Sequence, residues 1–154
     1  SETIENPVSD WSTYETVTIN DRNYYISQGR YAKWADFDAL IHSVFTDRFW
    51  SERNSFGDDP NKEFLYTEYQ GHLCFMDTAR GSGYYYDENA ADEFALIAKT
   101  DTEISFTLIG HYMSESGIRY TIEFPIKMVL TSDGWRFDEF YTALGDEKSI
   151  EEVH

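Results

Sequence analysis

Between residues 79 and 89 the chain reads Ala79-Arg80-Gly81-Ser82-Gly83-Tyr84-Tyr85-Tyr86-Asp87-Glu88-Asn89, setting one positive charge and two glycines immediately before three consecutive phenols. Gly81-Ser82-Gly83 has neither the preceding spacing nor the following Lys-Ser/Thr of a phosphate loop, so it is flexible backbone and not a phosphate cradle. Tyrosines beside such backbone suit recognition: large, rigid, amphipathic rings stack on a sugar or fill a groove in a partner protein. Arg80, Gly81, Tyr84, Tyr85 and Tyr86 are therefore the candidate binding residues. The competing expectation is that the three tyrosines begin an edge strand with one ring tucked into the core.

Side chains able to catalyse are few. On the strand predicted for Glu103 to Met113, Ile104, Phe106, Leu108, Gly110 and Tyr112 share the apolar face, which puts His111 on the other face with Ser105, Thr107 and Ile109. That parity points His111 away from an enclosed pocket. His72 lies beside a turn and His42 on a helix, neither with an evident nucleophile partner. Glu139 depends on register. If Asp133-Gly134 is a two-residue turn, Leu130 opposes Phe137 and Met128 opposes Glu139, bringing a carboxylate onto the apolar face beside Tyr141. A β-bulge near Asp138 would instead turn Phe140 inward and Glu139 to solvent. The bulge is the favoured expectation, because burying Phe140 gains about 2 kcal/mol while an unpaired buried carboxylate costs several. Cys74, in Leu73-Cys74-Phe75-Met76, reads as a packed thiol. Asp58-Asp59-Pro60-Asn61 and Asp87-Glu88-Asn89 lack calcium-loop spacing and read as solvated turns, and no His/Cys zinc spacing occurs, so no metal or other cofactor is expected.

The elements that must position these residues follow from periodicity. Asp36 to Arg53 carries Phe37, Leu40, Ile41, Val44, Phe45 and Phe49 at helical spacing. Asp36 is the expected N-cap, with a possible break near Phe45 and Thr46-Asp47 capping a second helix. Before it, Val17 and Ile19, the turn Asn20-Asp21 and Tyr24-Tyr25-Ile26 predict a hairpin, and Asn54 to Lys62 has turn composition. Glu63 to Tyr69 and His72 to Asp77 form strands about Gln70-Gly71. Thr78 to Asp92 is the longest irregular stretch, where function concentrates. Phe94 to Lys99, Glu103 to Met113 and the hairpin Ile118 to Leu144 complete a meander. In the last of these, Tyr120, Ile122, Phe124, Ile126, Met128 and Leu130 alternate with Thr121, Glu123, Pro125, Lys127 and Val129. Helices followed by long antiparallel strands indicate an α+β fold, N-terminal helices packed on a strongly curved antiparallel sheet. The predicted organisation is a flexible tail over 1–13, one domain over 14–144 and an acidic tail over 145–154.

Composition bounds the partners. Twelve basic against 29 acidic residues give a formal charge of -17, a field that repels phosphate backbones, so nucleic acid is not an expected partner. Aromatic residues are 18% of the chain, enough both to fill a core and to leave rings outside. One cysteine excludes an internal disulfide. No apolar run reaches the roughly 20 residues that span a bilayer. The chain begins Ser1-Glu2 with no signal peptide, the start expected of a trimmed mature form.

The order of helices, hairpin and long strands ending in Gly134-Trp135-Arg136-Phe137-Asp138-Glu139-Phe140 resembles the cone-shaped nuclear-transport-factor-2-like and SnoaL-like α+β superfamily. Phe37-x-x-Leu40-Ile41-x-x-Val44-Phe45-Thr46, the hairpin Phe64 to Phe75 and Ala79-Arg80-Gly81 further resemble small secreted proteins of Gram-positive bacteria related in style to the IseA inhibitor of cell-wall DL-endopeptidases. That resemblance implies a non-catalytic extracellular or surface-anchored module that blocks a hydrolase with a projecting loop, here Arg80 to Tyr86. A cystatin-type wedge is disfavoured, since Gln-x-Val-x-Gly is absent. The expected partner is thus a protein, such as a cell-wall hydrolase, or a glycan, bound by a monomer or weak dimer. The alternative function is a cone-pocket enzyme or small-ligand carrier using Glu139, Tyr141 or His111.

Overall fold

In the computed structural model, which describes residues 13–56, 63–77, 84–140 and 149–154, the turns expected at Asn20 and Gln70 set the first sheet. Asn20 and Asp21 take φ of 50° and 63°, the left-handed values of a tight hairpin, which Asn and Asp tolerate through local side-chain hydrogen bonds. They join β1 (Thr16–Ile19) to β2 (Arg22–Ile26). Gln70 and Gly71, at 49° and 80°, do the same between β3 (Tyr66–Tyr69) and β4 (His72–Met76). The order β1-β2-β4-β3 makes β4 central. Its Leu73, Cys74, Phe75 and Met76 are all buried, which is why the strand reads as an unbroken apolar run and not as an alternation. Tyr24, Cys74 and Met76 pack on one face, and Cys74 is the packed thiol expected, its pKa pushed up by burial.

The other face of β4 carries the helices. In α1 (Trp34–Val44) Phe37 and Ile41 stand one turn apart and pack on Leu73. The chain leaves helical geometry at Phe45 (φ -113°, ψ 153°), and α2 (Asp47–Asn54) restarts from Thr46, whose hydroxyl accepts the Phe49 N–H at 3.2 Å. Asp36 is not the cap of α1. Lys33 holds that position without a side-chain bond, and the Trp34 N–H donates to the Gly71 carbonyl at 3.0 Å. The β3–β4 turn thus satisfies a donor at the helix start, and α1 begins two residues before Asp36. The Asp36 carboxylate sits instead inside the first turn, where the helix dipole favours it. The Asn54 side chain donates to the Tyr66 carbonyl at 2.9 Å and accepts the Tyr66 N–H at 2.7 Å, fastening the end of α2 to β3. The fold class is α+β, with two helices packed against a strongly curled antiparallel sheet.

The chain divides into two compact units, Ser1–Ala79 and Arg80–His154. In the second, β5 (Tyr84–Tyr86) and β6 (Glu93–Lys99) follow one another along one side of β7 (Glu103–Ser114). β7 forms a long hairpin with β8 (Arg119–Thr131), whose far side takes β9 (Gly134–Glu139) and β10 (Ser149–Glu152). Leu108, Ile122, Phe124 and Ile126 form its buried core. Within the acidic stretch expected over 145–154, Ser149–Glu152 form β10. Ser-Ile-Glu-Glu is too short and too charged to read as a strand by itself, and pairing with Tyr120 to Glu123 makes it one.

Register at the β8–β9 turn is also corrected. Thr131 opposes Gly134 and Leu130 opposes Trp135, so the turn residues are Ser132-Asp133 and not Asp133-Gly134. Asp133 is not among the described non-glycine residues with positive φ; Gly134 takes φ 115° in its place. Thr131 pins this arrangement, its hydroxyl donating to the Gly134 carbonyl at 2.7 Å and accepting the Asp133 N–H at 3.3 Å. Met128 then opposes Phe137 and Lys127 opposes Glu139, leaving Asp138 as the extra residue of a β-bulge. Deleting Asp138 should therefore keep Glu139 opposite Lys127 and Phe140 inward, changing stability by less than about 1 kcal/mol in urea unfolding. A loss of several kcal/mol would show that the bulge itself holds the sheet.

Candidate functional site

β5 pairs with the end of β7 so that Tyr84 opposes Ser114, Tyr85 opposes Met113 and Tyr86 opposes Tyr112. Because side chains alternate across a strand, the three phenols separate. Tyr84 meets Tyr120 edge-on at 5.1 Å between ring centroids, and Tyr86 meets Tyr112 at 5.8 Å. Gly110 makes room for the second contact: a Cβ there would lie 2.7 Å from Tyr112 Cε2, so glycine lets the Tyr112 ring fold back over the strand. Tyr85 points to the opposite face, is 58% exposed, and donates its hydroxyl to Glu115 at 3.2 Å. The edge strand anticipated for these residues is present; Tyr84 is half-buried, while Tyr85 and Tyr86 are 58% and 43% exposed, Tyr85 the more so. Arg80 and Gly81, the other two candidates, lie outside the described residues.

Acidic groups surround these rings. The Tyr86 hydroxyl donates to Asp92 at 3.1 Å, and that bond, then burial and the charges of Asp92, Asp87 and Glu88, raises its pKa. Tyr112 and Tyr120 are raised chiefly by burial. All three therefore remain neutral phenols well above neutral pH, able to donate hydrogen bonds.

Next along the same side of β7, β6 is exposed over its whole length, with Phe94 68%, Leu96 67% and Ile97 62% exposed. Phe94 and Leu96 oppose Leu108 and Phe106 and extend their apolar face, while Ile97 is the bulged residue where the pairing shifts by one. Among the described residues no strand pairs with the outer edge of β6. From sequence, 94–99 was read only as part of the meander. The signal was available in Phe94-Ala95-Leu96-Ile97-Ala98, which is apolar at both parities where a half-buried strand needs only one. In sequence this strand is flanked by Asp87, Glu88, Asp92, Asp101 and Glu103 and carries Glu93 and Lys99; of the acids, Glu103 pairs with Lys127 at 3.6 Å and Glu93 lies 3.2 Å from His111 Nε2.

Of the enzyme alternative, the two described residues, His111 and Glu139, take different partners on different strands. His111 lies on the polar face, as its parity requires, with Nε2 3.2 Å from a Glu93 carboxylate oxygen. Glu139 is drawn opposite Lys127 by the bulge, while Phe140 packs on Phe137 at 4.9 Å and joins the core. Tyr141 and the acidic turn 58–61 lie outside the described residues. Among the described residues no group of three His, Cys, Asp or Glu side chains is placed to hold a metal, and no helix is long and apolar enough to cross a membrane.

Compared with known proteins, the chain matches no family model, no curated protein and no solved structure.

Proposed function

We propose that this protein is a non-catalytic, extracytoplasmic binding module that captures a protein partner, such as a cell-wall hydrolase, along the β5–β6 side of its second unit. The supporting observation is Phe94, Leu96 and Ile97, each more than half exposed on a strand that follows β5, with its exposed Tyr85, along the same side of β7. An uncovered apolar edge strand is a template for a strand from another chain, whose main-chain groups complete the ladder while side chains fill the flanking positions. The acidic surround favours a partner segment carrying lysine or arginine beside apolar residues. The order of elements supports including the nuclear-transport-factor-2-like superfamily in this proposal, and the IseA-like resemblance suggests the class of partner.

The test is surface plasmon resonance against purified peptidoglycan hydrolases. Tyr85→Ser and Leu96→Lys are each expected to weaken capture about tenfold, roughly 1.4 kcal/mol, with the melting temperature unchanged. Tyr84→Ser and Tyr86→Ser should instead lower the melting temperature, because their rings pack on Tyr120 and Tyr112. Absence of capture by every hydrolase, or capture indifferent to Tyr85 and Leu96, would overturn the proposal.

A further inference from the structure

A separate feature lies wholly in the first unit. Between α1, α2 and the β3 side of the sheet runs an open groove of about 350 Å³, within the ~300–1,000 Å³ usual for small-ligand sites. Trp34, Trp50 and Tyr66 contribute its aromatic surface and Asp38, His42 and Asp47 its polar mouth. The rings are held before any ligand arrives. Trp34, Trp50 and Tyr66 each pack against the fully buried Phe37, at 5.7, 5.7 and 5.3 Å between centroids, and Trp50 meets Tyr66 at 5.9 Å. Asn54 holds the Tyr66 backbone from both its N–H and its carbonyl. At the mouth, His42 lies between two carboxylates, with Nδ1 3.4 Å from Asp38 and Nε2 3.5 Å from Asp47. Both acids reach solvent, Asp38 with 46% and Asp47 with 88% of its side chain exposed. Among the described residues no lysine or arginine lines the groove.

We infer that this groove binds an organic ammonium group. Aromatic faces attract a cation through their quadrupole, and paired carboxylates at the rim complement its charge. An anion would be repelled by Asp38 and Asp47, and a neutral sugar would stack on the rings and donate hydroxyls to the carboxylates without adding the positive charge that the ammonium brings. The volume suits an amine head on a short aliphatic stem, either a free small amine or a lysine side chain presented by a peptide. This inference is independent of the proposed function, since it uses a different unit and different residues.

The full chain is titrated with tetramethylammonium, with N-acetyl-lysine-methylamide and with a short lysine peptide, following tryptophan fluorescence and calorimetric heat. The Nε-acetylated forms of the last two serve as neutral controls. Saturable binding is expected for at least one ammonium probe, lost on acetylation and weakened by salt. The double variant Asp38→Asn/Asp47→Asn, made at exposed positions, is expected to bind about five- to tenfold more weakly with an unchanged melting temperature. Asp47→Asn alone provides the same readout at a smaller amplitude should the double variant fold poorly. Tight binding of the small amines identifies a free ligand, and preference for the peptide identifies a protein side chain. No saturable response to any of the three probes, equal binding of the acetylated controls, or unaltered affinity in the folded carboxamide variants would overturn the inference.

Discussion

Replacing Phe37 with alanine is expected to remove about 3 to 5 kcal/mol from the stability of the first unit. Phe37 has no exposed surface and touches Trp34, Trp50 and Tyr66. Truncation therefore forfeits the transfer energy of a whole ring and opens a cavity walled by three rings that other contacts keep from collapsing inward. Chief among these restraints is Asn54, which holds Tyr66 through two backbone hydrogen bonds. Urea unfolding followed by tryptophan fluorescence reports the change where it occurs, since Trp34 and Trp50 border the cavity. A loss below about 1 kcal/mol would show that the site can collapse and that the aromatic floor is softer than its geometry indicates. Phe37→Leu, nearer in volume, should cost less than about 1.5 kcal/mol. The same pair of variants separates structure from ligand binding: the alanine should also abolish binding in the groove above, and the leucine should retain it.

Phe124→Ala is expected to cost a similar ~3 to 5 kcal/mol in the second unit. Phe124 is 1% exposed, opposes Leu108 across the β7–β8 hairpin, and stands on the same face as Ile122 and Ile126. Phe106, Tyr112, Tyr120, Phe137 and Phe140 close over this cluster. The expected result is a lowered urea midpoint with an unchanged slope, measured by far-ultraviolet dichroism to report the strands. An altered slope would mean that the variant also changes the compactness of one of the end states. Leu96→Lys in the same unit is expected to leave stability unchanged, because Leu96 is 67% exposed. The contrast between these two apolar residues, on the same face of the sheet but on strands separated by β7, is the physical basis for assigning one to the core and the other to a partner.

Local chemistry was legible where it is self-sufficient. Asn20-Asp21 and Gln70-Gly71 carry the φ preferences of tight turns, and both turns form. Thr46 caps α2 because its hydroxyl reaches a donor three residues on, an interaction internal to the helix. Asp36 failed as a cap for the converse reason: the Gly71 carbonyl, remote in sequence, meets the Trp34 N–H and starts the helix earlier. The bulge at Asp138 was legible from energetics, since a sheet that buries Phe140 must send Glu139 outward. The turn before it was not, because the choice between Asp133-Gly134 and Ser132-Asp133 rests on the two hydrogen bonds of the Thr131 hydroxyl.

The binding candidates divide along the same line. The sequence left Tyr84, Tyr85 and Tyr86 open between a binding loop and an edge strand, and determined only that in a strand alternate rings leave on opposite faces, because strand geometry has a period of two. Only the tertiary structure decided how far each ring is covered: Tyr120 meets Tyr84, which is half-buried, Tyr112 meets Tyr86 and leaves it 43% exposed, and Tyr85 stays 58% exposed on the other face. In the same way, alternation named Phe124 and Ile126 as core, and pairing on both sides of the β7–β8 hairpin buried them. At Phe94, Leu96 and Ile97 the sequence carries the apolar run at both parities, but that no strand among the described residues covers its outer edge was decided only at the tertiary level. Apolar composition states that a side chain gains by leaving water, and strand order determines whether anything in the chain is there to cover it.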